Sequence, residues 1–143
     1  MDATTKQLVK PLEDLYAKAP ALPTGAKDFI VSITPWLALI FGVLLVLSSV
    51  GALAPFSTYA GVGGSAMWLM VYSVLGIAEG ALMILAFSGL KNKKLVGWNW
   101  LFWAEIIGLV SPIVSLRFGG LLGAIVGAVI GFYFLFQIKS YYK

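Results

Sequence analysis

Four long apolar stretches, separated by short polar breaks, follow a first segment in which apolar and charged residues alternate with a helical period. From Thr5 to Lys18 the apolar positions Leu8, Val9, Leu12, Leu15 and Tyr16 lie to one side, and Lys6, Lys10, Glu13, Asp14 and Lys18 take the other. That spacing predicts an amphipathic helix, kinked or restarted at Pro11. Its stripe can lie in a headgroup zone, on a partner, or on the cytoplasmic ends of the other helices. The run Ala19-Pro20-Ala21-Leu22-Pro23 then breaks the chain, and Thr24 is placed to cap a short segment from Gly25 to Ile33.

Thr34-Pro35-Trp36 reads as a helix start, with threonine as cap and proline in the first turn. A first span is predicted from Pro35 to about Ala54, stopped by Pro55; an equal alternative begins near Ala26 and kinks at Pro35. The uncharged loop from Pro55 to Gly64 holds Gly61 and Gly63, with no strand before it and no lysine after it, so it reads as a linker and not as a phosphate loop. Further spans are expected at about residues 65–88, 96–116 and 118–139. The fold class expected is therefore an all-α integral membrane protein: an amphipathic or interfacial segment, residues 1–33, and a four-helix transmembrane bundle, residues 34–143.

Composition agrees with that reading. Of 143 residues 60% are apolar and 11% charged, with a mean hydropathy of +0.94, outside the usual balance of soluble domains. The polar start carries no apolar core with a small-residue cleavage site, so no cleaved signal peptide is expected. Cysteine and histidine are both absent, which removes disulfides, thiolate nucleophiles and the ordinary ligands of zinc, iron–sulfur clusters and haem. No Gly-x-Ser-x-Gly elbow is present either. The expectation is a non-enzymatic protein with no cofactor and no metal.

The net charge of +4 is not spread evenly. Lys6, Lys10, Lys18, Lys27, Lys91, Lys93, Lys94, Lys139 and Lys143 fall on one side of the four predicted spans and Arg117 alone on the other, nine against one. By the positive-inside rule both termini and the Lys91–Lys94 turn are expected to be cytoplasmic, in a plasma or inner membrane. Trp36, Trp98 and Trp100, with Tyr141 and Tyr142, would form the inner aromatic belt; Trp68 and Tyr59 lie toward the outer one, with Arg117 as an anchor. Lysines beside a span flank lipid, so the bilayer is the expected partner and nucleic acid is not.

Two patterns bear on function. Gly119, Gly123, Gly127 and Gly131 recur at strict four-residue spacing in the last span, a glycine zipper able to admit another helix closely, while Leu122, Ile125, Val129, Phe132 and Phe136 are expected to face lipid. Gly76 and Gly80 are further packing candidates in the second span. The other pattern is a pair of acids, Glu79 and Glu105, each thirteen positions from Asn92 in the turn. In an antiparallel hairpin they share one depth, roughly 20 Å from the turn and within a hydrocarbon layer about 30 Å thick. Gly108, Ser111, Pro112 and Ser115 mark a polar break or hinge beyond Glu105, because Pro112 removes the N–H that the Gly108 carbonyl would accept. Two functions fit: a packing subunit of a homo-oligomer or larger membrane complex, or, as alternative, a small proton- or cation-coupled transporter or channel using the Glu79/Glu105 pair.

Overall fold

The computed structural model describes residues 3–53, 64–114 and 120–143. Pro55, Tyr59, Gly61, Gly63, Ser115, Arg117 and Gly119, singled out above, lie outside the described residues. Within them the chain forms five α-helices: α1 (Ala3–Tyr16), α2 (Thr24–Leu53), α3 (Gly64–Lys91), α4 (Leu95–Val114) and α5 (Leu121–Ile138), followed by a 3₁₀ turn at Lys139–Tyr141. Three helical stretches, Thr24–Leu53, Met67–Lys91 and Leu121–Tyr141, are long and apolar enough to cross a membrane. Helix α4 has 20 residues and carries Asn99 and Glu105 within an otherwise apolar sequence.

Both internal prolines near the N-terminus are absorbed without a break. Helix α1 runs through Pro11. Helix α2 begins at Thr24 and continues through Pro35 for 30 residues, so the expected boundary between residues 33 and 34 falls inside a helix. Thr34 does not cap. Its hydroxyl donates to the Ile30 carbonyl at 2.6 Å, the back-bond by which a threonine is accommodated inside a helix. At about 1.5 Å per residue α2 reaches roughly 45 Å, more than a hydrocarbon core needs.

Helices α2, α3 and α4 pack side by side, and α5 packs chiefly on α4. Glycines set the first two contacts. A Cβ on Gly42 of α2 would lie 2.8 Å from the Gly80 carbonyl oxygen, and one on Gly80 would lie 2.7 Å from the Gly42 oxygen. Gly76 receives Ser49 in the same seam. At the α3–α4 turn Gly89 and Gly97 meet backbone to backbone: a Cβ on either would fall within 2.6 Å of the other's main chain. Small residues permit this approach, on which dispersion between helices depends.

The turn itself is closed by the Lys94 N–H donating to the Gly89 carbonyl (2.8 Å) and the Lys93 N–H to the Leu90 carbonyl (3.1 Å), with Lys93 at φ 54°. This is a Schellman cap with lysine where glycine is usual. Lys93→Gly is therefore expected to raise stability by roughly 0.5 to 1 kcal/mol, the left-handed penalty less the entropy of glycine, as read by denaturant titration in micelles. A lower stability would show that the Lys93 side chain contributes more than its backbone costs.

The core lies at the turn end of the bundle. Trp98 and Phe102 of α4 are fully buried and stack at 5.5 Å between ring centroids. The Trp98 ring N–H donates to the Leu135 carbonyl at 2.8 Å. Trp98 is therefore not an interfacial anchor as its position beside the lysines suggests, because α5 and Lys139 cover it from the other side. Trp36 and Trp100 remain partly exposed at 50% and 38%, and the Lys91 ammonium stands 5.4 Å over the Trp36 ring. Phe132 and Phe136 likewise depart from the lipid-facing expectation: Phe132 is buried and Phe136 packs on the core, since α5 turns these rings toward Phe102. Leu122, Ile125 and Val129 are exposed.

Helix α1 lies against α5. Val9 and Thr5 are buried, Tyr16 stacks on Phe136 at 5.5 Å, and Glu13 pairs with Lys139 at 2.5 Å. The segment after α1 is tied to the same helix, where the Pro20 carbonyl accepts from Tyr133 (2.7 Å) and Gln137 (3.2 Å). Of the three placements open to the amphipathic stripe, Val9, Leu12 and Tyr16 take the end of the bundle. Leu8 and Leu15, on the adjoining side, stay exposed.

Candidate functional site

The Gly89–Gly97 contact fixes the register of the α3–α4 hairpin and so the relative depth of its two acids. Each carboxyl then rests on a glycine of the following helix. A Cβ on Gly108 of α4 would lie 2.8 Å from Glu79 Oε1, and one on Gly131 of α5 would lie 2.5 Å from Glu105 Oε1. The two acids therefore point around the bundle in sequence and not face to face. The reason is helical phase: Glu79 shares its stripe with Ala86 and Leu90, which face α4, whereas Glu105 shares its stripe with Trp98 and Phe102, which face α5. Both residues are half-buried. Gly108 and Glu105 are one turn apart on α4, about 4.5 Å along its axis.

Beside Glu79 a cavity of about 300 Å³ opens between four helices, lined by Leu45 of α2, Tyr72 of α3, Ser111 and Pro112 of α4 and Ala124 of α5. It has the volume and the polar groups to hold several waters. Pro112 brings the Gly108 carbonyl into the same neighbourhood without the N–H that an ordinary residue would offer it. Gly108, Ser111 and Pro112 thus gather around Glu79, although the spacing pattern ties them to Glu105; α4 continues through Pro112 to Val114.

A second cleft, of about 260 Å³, lies at the opposite end of α5 and is lined by Glu13, Tyr16, Lys27, Gln137 and Ser140. Tyr16 reaches from this cleft toward the acids. Its hydroxyl donates to the Val129 carbonyl at 3.2 Å, two residues from Gly131, on which Glu105 rests. Burial and then the nearby Glu105 charge raise the Tyr16 phenol above its ordinary pKa. The sequence singles out neither this tyrosine nor its nearness to Glu105. Tyr16 reads there as one more position of an apolar stripe, and nothing local marks the distant helix it meets.

The glycine row of α5 divides into two parts. Gly131 receives Glu105, but a Cβ on Gly120, Gly123 or Gly127 would meet no atom within 4 Å. Among the described residues no group of three or more acidic side chains is placed to hold a metal ion. Compared with protein-family models, curated proteins and solved structures, the chain matches none.

Proposed function

We propose that this is a non-enzymatic integral membrane protein that crosses a plasma or inner membrane four times and serves as an assembly subunit, joining a second copy or another membrane protein through α5. Helix α4 is the fourth crossing: it lies between α3 and α5, so its polar groups Asn99 and Glu105 are turned partly toward protein. The gathering of nine lysines at one end supports cytoplasmic termini and a cytoplasmic Lys91–Lys94 turn. The observation that carries the assembly reading is the open pair Gly123 and Gly127. The glycines of the α2–α3 and α3–α4 seams are filled by neighbours, whereas these two are left bare beside the exposed Leu122, Val126 and Ile130. Backbone exposed in that way gains most from a helix laid against it.

In mild detergent the purified chain is expected to elute and scatter light as more than one copy, or to retain a partner when extracted from its membrane. Gly123→Leu with Gly127→Leu is expected to reduce it to monomer without loss of helicity, because those side chains meet open space within the subunit. A monomeric wild-type protein without a partner would rule the reading out.

A further inference from the structure

We propose that Glu79 and Glu105 form a proton path through the bundle, entered from the cavity beside Glu79 and left through Tyr16 into the cleft between α1 and α5. The two spaces lie toward opposite ends of α5, one lined by Gly120 and Ala124 and the other by Gln137 and Ser140. The acids and the tyrosine occupy the stretch between them. Glu79 rests on Gly108, one turn from Glu105; Glu105 rests on Gly131; and the Tyr16 hydroxyl sits at Val129. At each step the receiving group is an oxygen able to take a proton.

The titratable groups that face this row are few. Glu79 sees Tyr72 on its own helix and Glu105 on α4; α2 and α5 turn Leu45 and Ala124 toward it. Glu105 sees Glu79 and Tyr16, and α5 offers it Gly131. Lys139 is held away, over the Trp98 ring and paired with Glu13. With no cation at either carboxyl among these groups, the pair is most stable sharing one proton, which leaves one oxygen free to accept the next. The transfer balances at every step. A hydronium in the cavity gives its proton to a Glu79 carboxylate oxygen and becomes water, and Glu79 gives its proton to Glu105. Glu105 then gives its proton to the Tyr16 hydroxyl oxygen as that hydroxyl passes its own proton to water in the cleft, so that no tyrosinate forms.

The test is proton flux. Liposomes holding the full chain, loaded with a pH-sensitive dye and driven by a potassium diffusion potential, are expected to acidify well above empty liposomes. Glu79→Gln and Glu105→Gln are each expected to lower the rate by about a hundredfold, the scale of a lost proton-transfer group. Tyr16→Phe is expected to lower it by about tenfold or more. Dicyclohexylcarbodiimide tests the unmodified sequence: it adds across its C=N bond only to a protonated carboxyl in an apolar place, and is expected to mark Glu79 and stop the flux. Wild-type flux equal to that of empty liposomes overturns the proposal. So does an unchanged rate in the double glutamine variant, in Tyr16→Phe, or after complete modification of Glu79. The carbodiimide arm decides the matter should a variant not fold. None of these outcomes depends on how many copies assemble.

Discussion

Gly97→Val is expected to force α3 and α4 apart and to lower the unfolding free energy by about 3 kcal/mol, the upper range for overfilling a packed interior. Even the first carbon of the new side chain has no room: it would fall 2.3 Å from the Leu90 nitrogen and 2.4 Å from the Gly89 carbonyl carbon. Those are backbone atoms at the end of a helix, and no rotamer change moves them aside. The hairpin can accept valine only by sliding or splaying, and either movement shifts Glu79 relative to Gly108. Denaturant titration of the protein in micelles, followed by tryptophan emission, measures the loss. Gly123→Val is the control, because its added atoms meet nothing within the subunit, and its monomer stability should stay within about 0.5 kcal/mol of wild type. Equal stabilities for the two variants would mean that the α3–α4 contact is not the close one described.

Trp98→Ala is expected to cost about 4 kcal/mol, within the range for deleting a large buried aromatic side chain. The ring is fully buried, stacks on Phe102, meets Phe136 edge-on at 5.6 Å, and donates to the Leu135 carbonyl. It is the piece that fastens α4 to α5. Trp98→Phe separates its two contributions, keeping most of the aromatic contact and losing the N–H, with an expected cost of about 1 kcal/mol for the hydrogen bond. The difference between the variants, read from the same titration, gives the packing part. An alanine variant as stable as wild type would return Trp98 to the membrane interface, where its sequence position puts it.

Much of the architecture was legible because hydropathy and length suffice to mark apolar helices, and Lys91 to Lys94 mark a turn between two of them. That Glu79 and Glu105 lie on the two arms of one hairpin was also readable, since it requires only counting from that turn. Direction was not. Whether Glu105 faces α3 or α5 depends on which side of α4 each neighbour occupies, and no periodicity within one helix contains that information. The same limit explains Phe132 and Phe136: a bulky stripe opposite a glycine row fits lipid as well as it fits the aromatic core of α4. Pro35 left two starts equally open, at Pro35 itself and near Ala26, and the helix begins close to the second, at Thr24. Threonine before proline is a good helix start in isolation, but the back-bond from Thr34 and the packing of α2 on α3 outweigh that local preference. Tyr16 was invisible because its role comes from the docking of α1 on α5, a contact between opposite ends of the chain.

That docking constrains biogenesis. Helix α1 leaves the ribosome before α2 to α5, yet the surface that buries Val9, stacks on Tyr16 and pairs Glu13 with Lys139 is supplied by α5, made after them. Until then its apolar side has no protein cover, and a nascent membrane surface or a chaperone must shield it. Closure of this latch therefore cannot precede the synthesis of α5, and a protease cutting between Tyr16 and Thr24 is expected to distinguish chains before closure from chains after it.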